Sequence, residues 1–252
     1  VVLQELVAES TLTPGPSGPP MIVRDSEQVL VFACRLEGES HSGSTYPTPG
    51  LEVELCGHAT LASAAWLFET GRVVGPEARF HTLSGLLKVS RLEDGRYQMD
   101  FPVIGYEPGK ADPAVVDALG GGEPEAVYEI ERVHGNRYQM LVFADEAAVV
   151  GLNPDIKALE AARTNVIATA PGRASDFVSR FFGPASGVDE DPVTGSAHCT
   201  LAPYWFQRLE KTALKARQVG PRSGALEVRA GASGRVLLVG SALRYLDGVI
   251  RL

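Results

Sequence analysis

GVDEDPVTGSAHCTLAPYWF, residues 187–206, sets three acidic side chains against a proline, a turn of small residues and an apolar run that reads as a buried helix. One acidic residue before a helix is an ordinary cap, because its oxygen accepts from the free N–H groups of the first turn. Three call for a further reason. A second stretch, CGHATLASAAWLF at residues 56–68, has the same plan: a glycine turn, a polar residue, small residues, then Trp and Phe. The Gly57-to-Trp66 and Gly195-to-Trp205 separations differ by only one residue. Small side chains let a sheet surround a helix closely. The pair therefore predicts an internal duplication: an α+β chain of two pseudo-symmetric lobes, each a curved, barrel-like sheet around a central helix, with the active site in the cleft that both helix starts face.

Two helix N-termini aimed at one cleft make an anion site, since each offers unpaired backbone N–H groups and a partial positive charge. Gly57 and Gly195 let a ligand come close to the backbone. A substrate bearing a carboxylate is the expected occupant.

The remaining sequence supplies the strands. QVLVFACRL, LEVEL, ARFHTL, LLKVSRL and RYQMDFPV read as strands in the first half, the last two spaced by a turn at Asp94-Gly95. Residues 1–9 carry a weak helical pattern, and the tract TPGPSGPP after them suits neither helix nor central strand. In the second half, helices at Pro113–Leu119 and 155–163 accompany strands EAVYEIERV, RYQMLVFA, NVIATA, GALEVRA and GRVLLVGSALRYL. Many short strands with few helices indicate α+β, not a doubly wound sheet. The polar, Gly/Pro-rich stretch at 105–109 marks a boundary, giving a first lobe over 1–106 and a second over 107–241.

Composition narrows the function classes. The chain has 252 residues, 44% of them hydrophobic and 21% charged, within the ordinary range for a soluble globular protein. A net charge of -8 argues against nucleic acid or an anionic membrane as partner. No apolar run approaches the ~20 residues of a membrane span. The first ten residues lack the basic region and apolar core of a signal peptide. Three cysteines, Cys34, Cys56 and Cys199, show no metal-type spacing and fit reduced thiols in a cytoplasmic protein. No dinucleotide fingerprint, P-loop or metal-ligand spacing is present, so neither cofactor nor metal is expected.

With these residues in view, the chain resembles the PhzF-like family of phenazine-biosynthesis-protein-like isomerases. The resemblance is strongest from NVIATAPG through SDFVSRFFGPASGVDEDPVTGSAHCTLAPYW; TPGLEVELCGHATLASA is a second match, and RSGALEV and GRVLLVGSALRYLDG look like the family's closing strands. The implied fold is of the diaminopimelate-epimerase type. The implied reaction is a cofactor-independent isomerisation of a small carboxylated metabolite, in which a glutamate shuttles the proton as general acid/base. Carried onto this chain, the catalytic residues are Glu27 (in DSEQVLVF), His58 (in CGHAT) and Asp191 (in DPVTGSAH); Gly57, Gly195 and Ser196 bind substrate. The family's usual opening strand and Gly-Asn-Pro motif are not seen before LQELVAES, and residues 242–252 could return to complete the first lobe. A homodimer in the cytoplasm is left open as the assembly.

Blander readings stand beside these. Asp189 and Glu190 read as solvated loop charges, and His198 and Cys199 as helix packing. His41, His81 and His134 show no convergent spacing. Two other functions compete: a catalytically silent binding or regulatory protein on the same scaffold, and an epimerase or racemase dependent on Cys56. The latter needs acid and base on opposite faces of one carbon, and the second helix start offers Asp191 where a partner thiol would stand.

Overall fold

The computed structural model describes residues 2–8, 21–25, 28–32, 35–36, 41–43, 55–82, 84–133, 136–246 and 249–250. The chain divides into two compact units, Val1–Phe101 with Val239–Leu252, and Pro102–Leu238. Few helices and many strands make the chain α+β. No helix among the described residues is long and apolar enough to cross a membrane.

In the first unit a small sheet runs in the order Leu243–Leu246, Val2–Ala8, Met21–Asp25, Gln28–Phe32, and Val249–Ile250 also pairs with Val2–Ala8. Val2 lies opposite Leu243 in parallel register, and Gln4 opposite Arg24 in antiparallel register. The helical reading of residues 1–9 is thus corrected: Val2–Ala8 is a strand. Seven residues rich in Val and Leu carry little preference of their own, and partners on both sides satisfy the backbone. QVLVFACRL holds two strands, Gln28–Phe32 and Arg35–Leu36, and most of LEVEL lies outside the described residues.

A second run of strands follows in the order Arg35–Leu36, His41–Gly43, Glu77–Thr82, Gly85–Arg91, Tyr97–Pro102. Tyr97–Pro102 alternates buried and half-buried residues, the period-2 pattern of a sheet with one face on the core. Phe80, Leu87, Val89 and Phe101 are fully buried there. The turn read at Asp94-Gly95 is present, with Leu92 N–H donating to Arg96 O at 2.7 Å and Gly95 at φ 84°. Helix α1 (Gly57–Glu69) buries nine residues, among them Ala59, Ala62, Ser63, Ala64 and Ala65. A helix buried on nearly every side has no polar face to show, which is why its sequence reads as small and apolar throughout.

The second unit has a sheet in the order Arg235–Gly240, Gly224–Ala230, Ala213–Gln218, Phe177–Gly183, Thr164–Pro171, Asn136–Val142, Ala126–Val133, Tyr106–Pro108. Val188–Asp191 pairs beside Phe177–Gly183. All seven residues of Phe177–Gly183 are buried, as expected of a strand covered on both faces. One face carries Val166, Ala168, Ala170, Val178 and Phe182 against three short helices, α2 (Pro113–Leu119), α3 (Glu146–Val150) and α4 (Ile156–Ala161). Asp112, Asp145 and Asp155 cap these helices, accepting from Ala114, Ala148 and Ala158 N–H at 3.1, 2.9 and 3.1 Å. Each cap is worth about 1 kcal/mol.

The other face carries α5 (Gly195–Leu209). Trp205 is fully buried, stacks on Phe177 at 5.6 Å and donates from Nε1 to Thr169 Oγ1 at 3.0 Å. Pro203 sits inside α5 and lacks the N–H that would bond the carbonyl of Cys199 four residues back. Ile104 N–H takes that place at 3.2 Å, so the buried carbonyl is satisfied and the helix runs on past Tyr204.

Candidate functional site

The start of α5 is built by the pleat of one short strand. Asp191 lies opposite Phe181 in the pairing of Val188–Asp191 with Phe177–Gly183, so it shares the α5 face of the sheet. Glu190 falls on the opposite face because side chains alternate along a strand. There it meets Arg180 in a two-pronged ion pair of 2.7 and 2.9 Å, and Arg180 Nη1 also donates to Leu152 O at 2.6 Å. Arg180 is 6% exposed. Glu190 as a solvated charge is therefore corrected: it neutralises a buried guanidinium that ties the sheet to the end of α3. Asp189 is exposed, as read.

Asp191 turns toward the helix. Thr194 is the N-cap residue of α5, with φ −102° and ψ 100°, yet its side chain does not cap the helix. Its hydroxyl donates to Asp191 Oδ2 at 2.6 Å. Gln218, 1% exposed at the end of Ala213–Gln218, closes the turn. Its Oε1 accepts from Thr194 N–H at 2.9 Å, while Nε2 donates to Asp191 O and, at 3.2 Å, to Thr194 Oγ1. A backbone N–H demands an acceptor and a carbonyl demands a donor, so the amide has one orientation. Gly195 and Ser196 lie in the first turn of α5, both half-buried.

One turn further in, His198 is 0% exposed and its Nδ1 lies 2.7 Å from Thr194 O. That contact puts the proton on Nδ1 as donor and leaves Nε2 a buried acceptor with no hydrogen-bond partner. Burial pushes the imidazole down to about 4, opposed only in part by the bond to Thr194. Cys199 is equally buried; its thiol donates to Gly195 O at 3.6 Å, and burial pushes it up to about 12. Both behave as packing residues.

The start of α1 is likewise free of a side-chain cap. Cys56 holds the N-cap position in an extended conformation, φ −124° and ψ 95°. Its Sγ lies 3.6 Å from Nε2 and 4.0 Å from Nδ1 of His58, a thiol–imidazole contact whose direction depends on the tautomer. Thr60 Oγ1 donates back to Cys56 O at 2.8 Å. Gly57 is buried and His58 half-buried. The contrast with α2, α3 and α4 is plain: the short helices are capped by Asp, while α1 and α5 carry neither a side-chain cap nor an acidic residue in the first turn. Their first N–H groups keep the capacity to meet an anion.

The structure thus groups Asp191, Gly195 and Ser196 at one helix start, and Gly57, His58 and Cys56 at another. Glu27 lies outside the described residues. Thr194, Gln218 and Arg180 were not singled out by the sequence reading. Thr194 had a local cue as a cap-type residue before the glycine turn. Gln218 had none, being distant in sequence from the turn it closes. Among the described residues, no group of three or more His, Cys, Asp or Glu is placed to hold a metal ion.

The family described as phenazine biosynthesis-like protein, PhzC-PhzF, matches residues 31–248. A Pseudomonas aeruginosa protein named as an uncharacterized isomerase is 46% identical over 209 residues, covering 81% of this chain and 76% of its own. A second of that name from the same organism is 43% identical over 206 residues, covering 81% of this chain and 76% of its own. The crystal structure of a PhzF-family phenazine biosynthesis protein from Enterococcus faecalis superposes with a TM-score of 0.73 at 39% identity, covering 83% of this chain and 78% of that one. The chain belongs to the phenazine biosynthesis-like PhzC-PhzF family of isomerases.

Proposed function

We propose that this isomerase moves a proton within a small carboxylated metabolite without a cofactor. The observation that carries the reading is the start of α5, where first-turn N–H groups stand without a side-chain cap beside a carboxylate held in place by Thr194. The N–H groups and the Ser196 hydroxyl would receive the substrate carboxylate. Asp191, one oxygen bonded to Thr194, would offer the other to a substrate hydroxyl or amino group and fix its orientation. His58 at the start of α1 would donate to or accept from the same class of polar substituent.

Glu27 takes the part of general acid/base, on the strength of the resemblance. It removes a proton from one carbon, the electron pair shifts along a conjugated system, and the same carboxyl returns the proton to a distant carbon. Substrate and product are isomers and no electron is lost, so this route calls for neither redox cofactor nor a second base. A cytoplasmic homodimer goes with this reading, and sedimentation at twice the chain mass is the check on it.

The experiment is solvent-deuterium incorporation, followed by proton NMR, into a panel of small unsaturated hydroxy and amino carboxylates. The parent chain is expected to label at least one of them. Glu27→Gln should slow labelling by about 10²–10⁴, and Cys56→Ala should label at close to the parent rate. The contact of Cys56 with His58 favours a second reading, a thiol-dependent epimerase. Cys56→Ala inactive with Glu27→Gln active would transfer the chemistry to the thiol. A parent chain that binds a carboxylate yet labels none is the silent binding or regulatory protein.

A further inference from the structure

We propose that Gln218 is a positioning residue: its carboxamide staples the two ends of the 191–194 turn and so aims the Asp191 carboxylate. The inference rests on the catalytic reading of Asp191 above and names what holds that side chain in place.

The turn's own side-chain bond, from Thr194 Oγ1 to Asp191 Oδ2, leaves its backbone groups to other partners. Pro192 has no N–H to give, and the chain passes there from the strand Val188–Asp191 into α5 with the N-cap side chain committed elsewhere. Gln218 supplies the missing bonds from a different strand, one placed by its parallel pairing to Phe177–Gly183, with Gln218 opposite Ser179. One Nε2 proton goes to Asp191 O and the other to Thr194 Oγ1, while Oε1 takes Thr194 N–H. Thr194 Oγ1, receiving a proton from the amide, passes its own to Asp191 Oδ2 at 2.6 Å. A directed chain therefore runs from Gln218 through Thr194 to the carboxylate, each bond polarising the next. Gln218 makes three bonds at 1% exposure, so an apolar replacement leaves a buried N–H and a carbonyl unpaired together. Gln218 itself need touch no substrate. A carboxylate displaced by about 1 Å costs on the order of 10²-fold in rate.

The nearest natural stand-in for the amide is a protonated glutamate, which keeps the acceptor for Thr194 N–H and one of the two donors. The neutral carboxyl has the same shape, one donor and one acceptor; the ionised form keeps the acceptor, loses the donor and faces the charge on Asp191. The test compares the parent chain with Gln218→Leu, Gln218→Glu and Asp191→Asn. Hydrogen exchange of the Thr194 amide, read by NMR, needs no substrate. Gln218→Leu should speed it at least tenfold while Gln218→Glu keeps it protected. On the carboxylate that the parent labels fastest, Gln218→Leu should lower kcat by about 10–100-fold with KM within about threefold. The Gln218→Glu rate, divided by the parent rate, should climb as pH falls from about 8 to about 5.5 while Thr194 exchange stays protected throughout; loss of packing around a buried charge would change the two together. Unchanged Thr194 exchange in Gln218→Leu, or a ratio flat with pH, overturns the inference. An Asp191→Asn chain as active as the parent overturns the catalytic reading of Asp191 itself. Asp191→Asn inactive with Gln218→Leu fully active overturns the Gln218 inference alone.

Discussion

Acidification should unlock the start of α5 through one histidine. His198 donates from Nδ1 to Thr194 O at 2.7 Å, and its Nε2 is buried with no partner, with the Phe177 ring centred 6.0 Å away. A second proton would have to sit on Nε2 as a cation without an acceptor. Burial therefore depresses the folded-state value from 6.5 to about 4. The unfolded chain binds that proton first, so this contribution to stability is complete above about 6.5 and is lost as pH falls toward 4. With those two values the loss is about 1 kcal/mol at pH 6, about 2 kcal/mol at pH 5 and about 3 kcal/mol at its limit. The assay has two arms. Long-range ¹H–¹⁵N spectra of the histidine rings follow His198 directly, and urea unfolding at pH 7.5 and pH 5, monitored at α5 amides, reports the energy. His198→Asn is the control: its amide can still donate to Thr194 O but cannot take a proton. The parent should lose about 2 kcal/mol more than the variant between the two pH values. A His198 ring that titrates near 6.5 in the folded protein, or an equal acid loss in both proteins, refutes the reasoning.

Removing one partner of the Arg180–Glu190 pair strands a buried charge, so Glu190→Gln should cost about 3 kcal/mol in chemical denaturation, against under about 0.5 kcal/mol for the exposed Asp189→Asn. Equal costs would mean that the pair is solvated in solution. Gly120 closes α2 at φ +61°, and an added β-carbon would lie 2.6 Å from Asn153 O; Gly120→Ala should therefore destabilise by at least about 2 kcal/mol, measured the same way. The Cys199 thiol, fully buried and pushed up to about 12, should resist iodoacetamide at pH 8 until the chain is unfolded, as peptide mass mapping would show. Alkylation in the native state would refute its burial.

The sequence by itself determined many of the local elements, the two small-residue helices among them. Helix α2 was legible to the residue because Pro113 starts it and Gly120 ends it, both local steric facts. Strands such as Gly224–Ala230 followed from period-2 patterning, and α1 and α5 followed from small residues running into Trp and Phe. Family resemblance then picked out His58, Asp191 and Ser196 from short motifs. Other features depended on partners far away in the chain. Val2–Ala8 became a strand because flanking strands took up its hydrogen bonds, which no seven-residue pattern encodes. Phe177–Gly183 was not read as a strand, since a run buried on both faces lacks the alternation of type. Ala213–Gln218 was missed although Leu214, Ala216 and Gln218 are buried between exposed neighbours, because so short a run of Ala, Lys, Arg and Gln has little strand preference of its own. DED at 189–191 reads as one site residue, Asp191, beside two solvated charges, with no local sign of a buried partner for Glu190. Only the sheet register sent Glu190 to Arg180 on one face and Asp191 to Thr194 on the other. Composition says which side chains could carry the chemistry; pleat and register decide which of them reaches it, because adjacent residues in a strand point to opposite sides and their partners come from elsewhere in the fold.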